Sequence, residues 1–347
     1  MAKRRTTTEI LRANRKLAKA RYYRLNSILG NQWAIFYVVI GGRKTGKSYA
    51  GAEFLVKHQE DKNYWLRISE LSTKAMLAGN CKGLIDPDLQ KYYNLDLKAK
   101  GGMYVYNYGK EFCTVAPLSS FGKLKGVGFY DKNYTGWYNI FMDEFQLEQG
   151  EKRTSFNILY NFIGMCENLV RTTKSKIRVF LFGNTLEEAS TILKAFNFLP
   201  EKFGRFYLKR KRCVIDNIEP TEEYLKDREG SIADILGGDK MSNYTNTLKK
   251  DVALIDKSRT STPQAIIKFS KSPDDWYTLW DHNIVKRYNN EKIPTTSDFA
   301  MRPYIGTFYS RERRQVIIDM FDARALKFNN LITQAYFQDS LAQIRKQ

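Results

Sequence analysis

The chain has 347 residues, with 57 Lys and Arg against 37 Asp and Glu, and a formal net charge of +20. That length suits two domains, and a small-metabolite enzyme has no need of such a charge, whereas a polyanionic partner explains it. Four cysteines without paired spacing and two histidines fit a reducing cytosol and argue against a disulfide framework, a zinc ribbon or a histidine-based site. No apolar run reaches the length of a spanning helix, and the N-terminus has no signal-peptide apolar stretch.

Residues 1–30 read as a basic amphipathic helical extension, with nine cations from Lys3 to Arg24 against the single acid Glu9. Trp33–Ile40 (W-A-I-F-Y-V-V-I) is an apolar run rich in β-branched and aromatic residues, the pattern of a buried parallel strand. It runs into G-G-R-K-T-G-K-S: Gly41, Gly42, Arg43, Lys44, Thr45, Gly46, Lys47 and Ser48. A helical apolar pattern then begins. Strand, glycine loop and helix in this order form a phosphate-binding loop. Gly41 and Gly46 free the backbone to turn N–H groups toward phosphate oxygens. Lys47 is placed to reach the β- and γ-phosphates of ATP, Ser48 to ligate Mg2+, and the helix N-terminus to face the anion. A glycine-rich turn beside a surface lysine would not explain the flanking strand and helix.

Tyr138–Phe145 (Y-N-I-F-M-D-E-F) reads as a second buried strand ending in Asp143 and Glu144. Ligands of open α/β sheets collect at the C-terminal ends of strands. Asp143 is assigned to Mg2+ through a bound water, and Glu144 to orienting and polarising the attacking water. An ordinary surface acidic pair is the alternative. Ile177–Phe182 is a third strand, running into Asn184. Asn184 is either a γ-phosphate sensor or a turn asparagine. Two further basic clusters, Arg171–Arg178 and Lys202–Arg212, add to the N-terminal one; together they favour nucleic acid over a solvated face. The chain is strongly aromatic, and some rings are candidates for stacking on bases, although the sequence does not separate those from core residues.

The expected fold class is α/β. Residues 31–212 form a P-loop ATPase domain with a doubly wound, mainly parallel sheet, 213–260 a helical linker, and 261–347 a β-rich domain closed by a helix from Leu331. Within the last domain, Ile266–Phe269, Trp276–Trp280, Tyr304–Tyr309 and Gln315–Phe321 read as strands.

The loop G-G-R-x-x-G-K-S, with Arg43 at its third position, resembles that of the large-terminase group of viral DNA-packaging ATPases. The stretch A-P-L-S-S-F-G-K-L-K-G (116–126) looks most like the packaging ATPases of phi29-like phages. The resemblance implies an ASCE-type ATPase domain, a linker and a degenerate RNase H-like C-terminal domain. It further implies a homomeric ring, a pentamer in that family, acting on double-stranded DNA at the portal of a procapsid in the host cytoplasm. A structural RNA is a further candidate partner. Carried over by position, Arg171 matches the arginine supplied to a neighbouring subunit's γ-phosphate, Lys125 a basic interface residue, and Asn184 a polar strand-tip residue. Arg171 has Lys174 and Lys176 as close competitors, and a plain contact to DNA or to an acidic side chain is its alternative role. Where relatives place basic DNA-gripping residues after the Arg67 strand, this chain has Ser69 and Glu70, with Lys74 beyond.

Two-metal nuclease chemistry needs converging carboxylates. The first strand of the last domain instead carries Lys268, and Asp274, Asp275, Asp281 and Asp319 are dispersed, so no nuclease activity is expected. The competing readings are a terminase that also cuts, a nucleotide-gated DNA-binding adaptor without turnover and, more remotely, a helicase.

Overall fold

The computed structural model describes residues 22–125, 131, 133–145, 156–170, 176–184, 191–232, 235, 252–261, 263–270, 272, 275–288 and 311–345. Most of the N-terminal extension, Arg171, Lys174, Asp274 and the strand expected at Tyr304–Tyr309 lie outside these residues. The chain divides into two compact units, residues 1–196 with 202–249, and residues 197–201 with 250–347. Among the described residues no helix is long and apolar enough to cross a membrane.

The first unit is built on a nine-stranded sheet in the order β3-β4-β5-β2-β6-β7-β1-β9-β8. The strands are β1 (Phe36–Ile40), β2 (Lys62–Arg67), β3 (Leu97–Lys100), β4 (Tyr104–Asn107), β5 (Lys110–Pro117), β6 (Trp137–Asp143), β7 (Lys176–Gly183), β8 (Gly204–Leu208) and β9 (Cys213–Asn217). From β5 to β9 every neighbouring pair is parallel, and the pairs at either edge are antiparallel. The central strands carry the apolar runs that burial on both faces demands.

Register turns the aromatic residues into a ladder. Trp65 lies opposite Phe141, Phe141 opposite Phe180, and Phe180 opposite Tyr37. Their rings stack at 5.0, 4.8 and 5.4 Å. Such pairs contribute about 0.5–1.5 kcal/mol each beyond their buried area. The helix Lys47–Lys57 lies on this ladder through Phe54, 6.0 Å from the Phe141 ring and 5.0 Å from that of Phe180. It approaches closely because Gly51 has no side chain; a Cβ there would come within 2.5 Å of Phe182. The loop feeding that helix is thereby fixed above the sheet.

The boundary drawn at residue 212 is corrected. Cys213–Asn217, assigned from the sequence to a helical linker, pairs in parallel with β1 and belongs to the main sheet. Its five residues are too few to show a period, and the basic turn before them hides the strand.

The second unit holds a four-stranded sheet of β10 (Pro263–Lys268), β11 (Trp276–Trp280), β12 (Ile284–Arg287) and β13 (Lys327–Phe328), in that order. The first three run antiparallel and β13 pairs in parallel with β12. Tyr277, Leu279 and Ile267 pack with Phe328, Phe337 and Leu341 in its core. The closing helix is present as Leu331–Ile344. Gln315–Phe321, read as a strand, is instead part of the helix Arg311–Asp322. Ile317, Met320 and Phe321 fall at helical spacing on the core side, while Val316 remains exposed.

Candidate nucleotide and metal site

The loop between β1 and its helix takes the tight path its glycines allow. Gly46 has φ +90°, and a Cβ there would meet the Tyr22 Cβ at 2.5 Å. Gly41 N–H donates to the Gly183 carbonyl at 3.2 Å, tying the loop to the end of β7. The Thr45 hydroxyl donates to the Gly42 carbonyl at 2.8 Å. Lys47 is buried, and its ammonium donates to the Gly41 and Gly42 carbonyls, both at 2.8 Å. Burial pushes the Lys47 ammonium down to about 8, against the opposing pull of Asp143 and Glu144.

Strand order brings the remaining groups to the loop. β7 lies between β1 and β6, so Asp143, in register with Phe182, stands two strands from the loop. Burial raises the Asp143 carboxyl, while Arg67, a hydrogen bond from Ser48 and the Lys47 charge hold it down. Ser48 and Asp143 are thus neighbours: a hydroxyl and a carboxylate, the oxygen donors a hard divalent cation takes. Asn184 is buried directly after β7, between the loop and the end of β6.

Glu144 differs from Asp143 in two respects. Its side chain is 51% exposed, and its backbone lies in the left-handed region at φ +53°. For a residue with a side chain that conformation costs on the order of 1–2 kcal/mol, and such strain clusters at functional sites. It is stabilised locally by its own N–H, which donates to Asp143 Oδ1 at 3.1 Å.

Arg67 was not singled out from the sequence. It ends β2, the neighbour of β6, and its guanidinium joins both acids: Nη2 lies 2.5 Å from Glu144 Oε2, and Nη1 lies 3.4 Å from Asp143 Oδ2. A basic residue closing a strand was visible; that this strand adjoins the one carrying Asp-Glu was not. Tyr224 and Arg228 were also missed. The helix Glu222–Arg228 falls in the helical linker expected from the sequence, and its Tyr224 is buried. Its hydroxyl donates to the Arg43 carbonyl at 2.9 Å, and Arg228 donates to the same oxygen at 3.3 Å. On the other side, Tyr23 N–H donates to the Thr45 carbonyl at 2.9 Å, and its hydroxyl donates to Asp216 at 2.7 Å. The loop is thus held from both flanks by residues distant in sequence.

Lys125 stands apart from this group: it is exposed, with its ammonium 5.0 Å from the Phe121 ring. Arg171 lies outside the described residues. The basic clusters are partly structural. Arg178 stacks 3.6 Å over Trp137, Arg205 pairs with Asp216 at 2.8 Å, and Arg212 donates to the Trp33 carbonyl at 3.3 Å. Lys209–Lys211 form an exposed turn, and Lys176 is exposed at the start of β7. Ser69 caps the helix Glu70–Cys81 by accepting from Ser72 N–H, and Glu70 accepts the Ser120 hydroxyl at 2.6 Å. In the second unit, Asp275 accepts the Ser270 and Ser340 hydroxyls, Asp281 accepts from Ser261, and Asp319 from Gln315.

No family model matches the chain, and no curated protein matches it. Solved structures do. The bacteriophage Phi-29 viral genome packaging motor assembly is similar over 94% of this chain and 99% of its own, at 18% identity and a TM-score of 0.61. The Phi-28 gp11 DNA packaging motor is similar over 92% and 96%, at 14% identity and a TM-score of 0.57. At these identities the likeness is one of fold: along nearly its whole length, the chain is folded like these two phage DNA-packaging motor proteins.

Proposed function

We propose that the protein is an ATPase that drives double-stranded viral DNA into a preformed procapsid as a ring of identical subunits. The observation that carries this reading is the convergence of Lys47, Ser48, Asp143 and Glu144 at the C-terminal ends of central parallel strands, in a chain with a packaging-motor fold. The Gly41–Ser48 loop cradles the phosphates of ATP with its N–H groups, and Lys47 neutralises the terminal ones. Ser48 and Asp143 hold Mg2+, which draws charge from the transferring phosphoryl group. Asn184 senses the γ-phosphate from the tip of β7.

Glu144 acts on the attacking water. While its carboxylate is paired with Arg67, its lone pairs are engaged by a cation and it is a poor proton acceptor. Turnover therefore requires Glu144 to exchange Arg67 for water, and the strained backbone at φ +53° favours a residue poised to move. Arg171 of a neighbouring subunit, with Lys125 at the same interface, supplies positive charge to the transition state and makes hydrolysis depend on the ring. Residues 31 to about 217 constitute the ATPase core, followed by a short linker. The C-terminal unit is a degenerate RNase H-like domain without nuclease activity. Lys268 on β10 lies against Trp276 where a metal-binding acid would be needed, and the nearby aspartates engage separate partners. The protein acts in the host cytoplasm, at the portal vertex.

Mixing Arg171→Ala with Glu144→Gln subunits tests the shared site. Each variant alone is expected to be nearly inactive, and the mixture to regain part of the parental ATPase rate at interfaces joining an intact Glu144 to an intact Arg171. A mixture no faster than its components contradicts the shared site. Incubation with supercoiled plasmid and Mg2+ or Mn2+ is expected to leave it uncut.

A further inference from the structure

The four-stranded sheet of the C-terminal unit has two unlike faces. Strand alternation sends Tyr277 and Leu279 of β11, with Ala265 and Ile267 of β10, into the core. The opposite face carries Trp276, Thr278 and Trp280. Lys268 is in register with Trp276 across one neighbouring strand, and Lys286 with Thr278 across the other. The Lys268 ammonium lies 3.6 Å from the centre of the Trp276 ring, and that of Lys286 lies 4.6 Å from Trp280. Tyr288 joins Trp276 at a centroid distance of 5.4 Å. All three rings are only half-buried.

The indoles are fixed in orientation. Trp276 Nε1 donates to the Ser270 carbonyl at 2.8 Å, and Trp280 Nε1 to the Thr278 hydroxyl at 2.9 Å. The acids beside them in sequence are already engaged, Asp275 by the Ser270 and Ser340 hydroxyls and Asp281 by Ser261. The face presents flat rings and ammonium groups together, the Lys286 ammonium donating also to the Thr260 hydroxyl. Four residues apart on one strand, Trp276 and Trp280 sit roughly 13 Å from each other.

Flat aromatic rings paired with cations are what an unpaired, phosphate-linked base recognises: the base stacks on the ring and the ammonium meets the phosphate. Duplex DNA keeps its base faces inside its own stack and offers such rings nothing to stack on. We propose that the Trp276–Trp280 face binds single-stranded nucleic acid, with one base station at Trp276 and Tyr288 and a second at Trp280. Lys268 and Lys286 turn from the rings to the flanking phosphates when the strand is seated. This inference does not rest on the ATP site, and its test needs no ATP.

The full chain is titrated with short labelled single strands of one mixed sequence, as RNA and as DNA, against the corresponding duplex. Single strands are expected to quench the intrinsic tryptophan fluorescence and to resist competition by the duplex. Trp276→Ala and Trp280→Ala should each weaken binding about five- to a hundredfold. Trp276→Phe, which keeps a flat ring, should remain within a few-fold of the parent, whereas Trp276→Leu, which keeps apolar bulk without one, should not. Lys268→Gln and Lys286→Gln should each lower the slope of log affinity against log salt by about one. Preference for RNA would identify a 2′-hydroxyl contact and preference for DNA its absence; either supports the stacking site. Displacement of the bound single strand by an equal concentration of the duplex overturns the proposal. So does parental single-strand affinity in Trp276→Leu and Trp280→Leu proteins whose thermal unfolding matches the parent.

Discussion

The two sheets of this molecule leave different surfaces for chemistry. In the first unit, the parallel strands from β5 to β9 are buried along most of their length, and the polar groups Lys47, Asp143 and Asn184 appear where the strands end. In the second, the antiparallel strands β10 to β12 bury Tyr277 and Leu279 on one side and leave Trp276 and Trp280 half-open on the other. A parallel sheet covered on both faces pushes function to its rim, where groups from separate strands converge; a one-sided antiparallel sheet spreads function over a face. Substitutions at the rim should therefore act on chemistry and pH dependence, and those on the face on affinity for a ligand.

The largest rim effect is expected at Glu144. Glu144→Gln should lower the ATP turnover rate by about 10²–10⁴-fold while ATP still binds, as measured by equilibrium binding of a fluorescent ATP analogue. Next comes Gly46→Ala, which places a side chain at φ +90° and within 2.5 Å of Tyr22. A loss of about 1–3 kcal/mol is expected, read by chemical denaturation, and Tyr22→Gly should relieve only the clash.

Arg67→Ala removes the strongest group opposing the burial-induced rise at Asp143. The carboxyl should then hold its proton to higher pH, moving the acid limb of the pH–rate profile upward; an unmoved limb would show that Arg67 does not govern this acid. At the alkaline end, the Lys47 ammonium, lowered to about 8, is lost as pH rises through that value. ATP affinity should fall above it by up to about tenfold per pH unit, and Lys47→Arg should abolish that dependence. The smallest effect is expected from Tyr224→Phe, which removes one hydrogen bond to the Arg43 carbonyl and should cost about 0.5–1.5 kcal/mol in thermal stability.

The rim was more legible in the sequence than the face. Trp33–Ile40 announces a buried parallel strand by an unbroken apolar run and Ile177–Phe182 by one interrupted only at Arg178, and the glycine loop punctuates the first of them. The partnership of Arg67 with Asp143 and Glu144 was hidden because it depends on β2 lying beside β6, an adjacency that no spacing encodes. Tyr224 and Cys213–Asn217 were hidden by their polar, basic surroundings. On the face, Trp276 and Trp280 could be seen as aromatic residues in a strand. Only the register with Lys268 and Lys286 separates them from the core aromatics Tyr277 and Phe337.

The most direct test is steady-state ATP hydrolysis by the full chain, with and without duplex DNA, across protein concentration. The account expects a Mg2+-dependent rate that rises with both DNA and concentration, as a site completed by a neighbouring subunit requires. A rate per subunit independent of both would contradict a shared, DNA-coupled motor site, and no hydrolysis under any condition would contradict the ATPase itself.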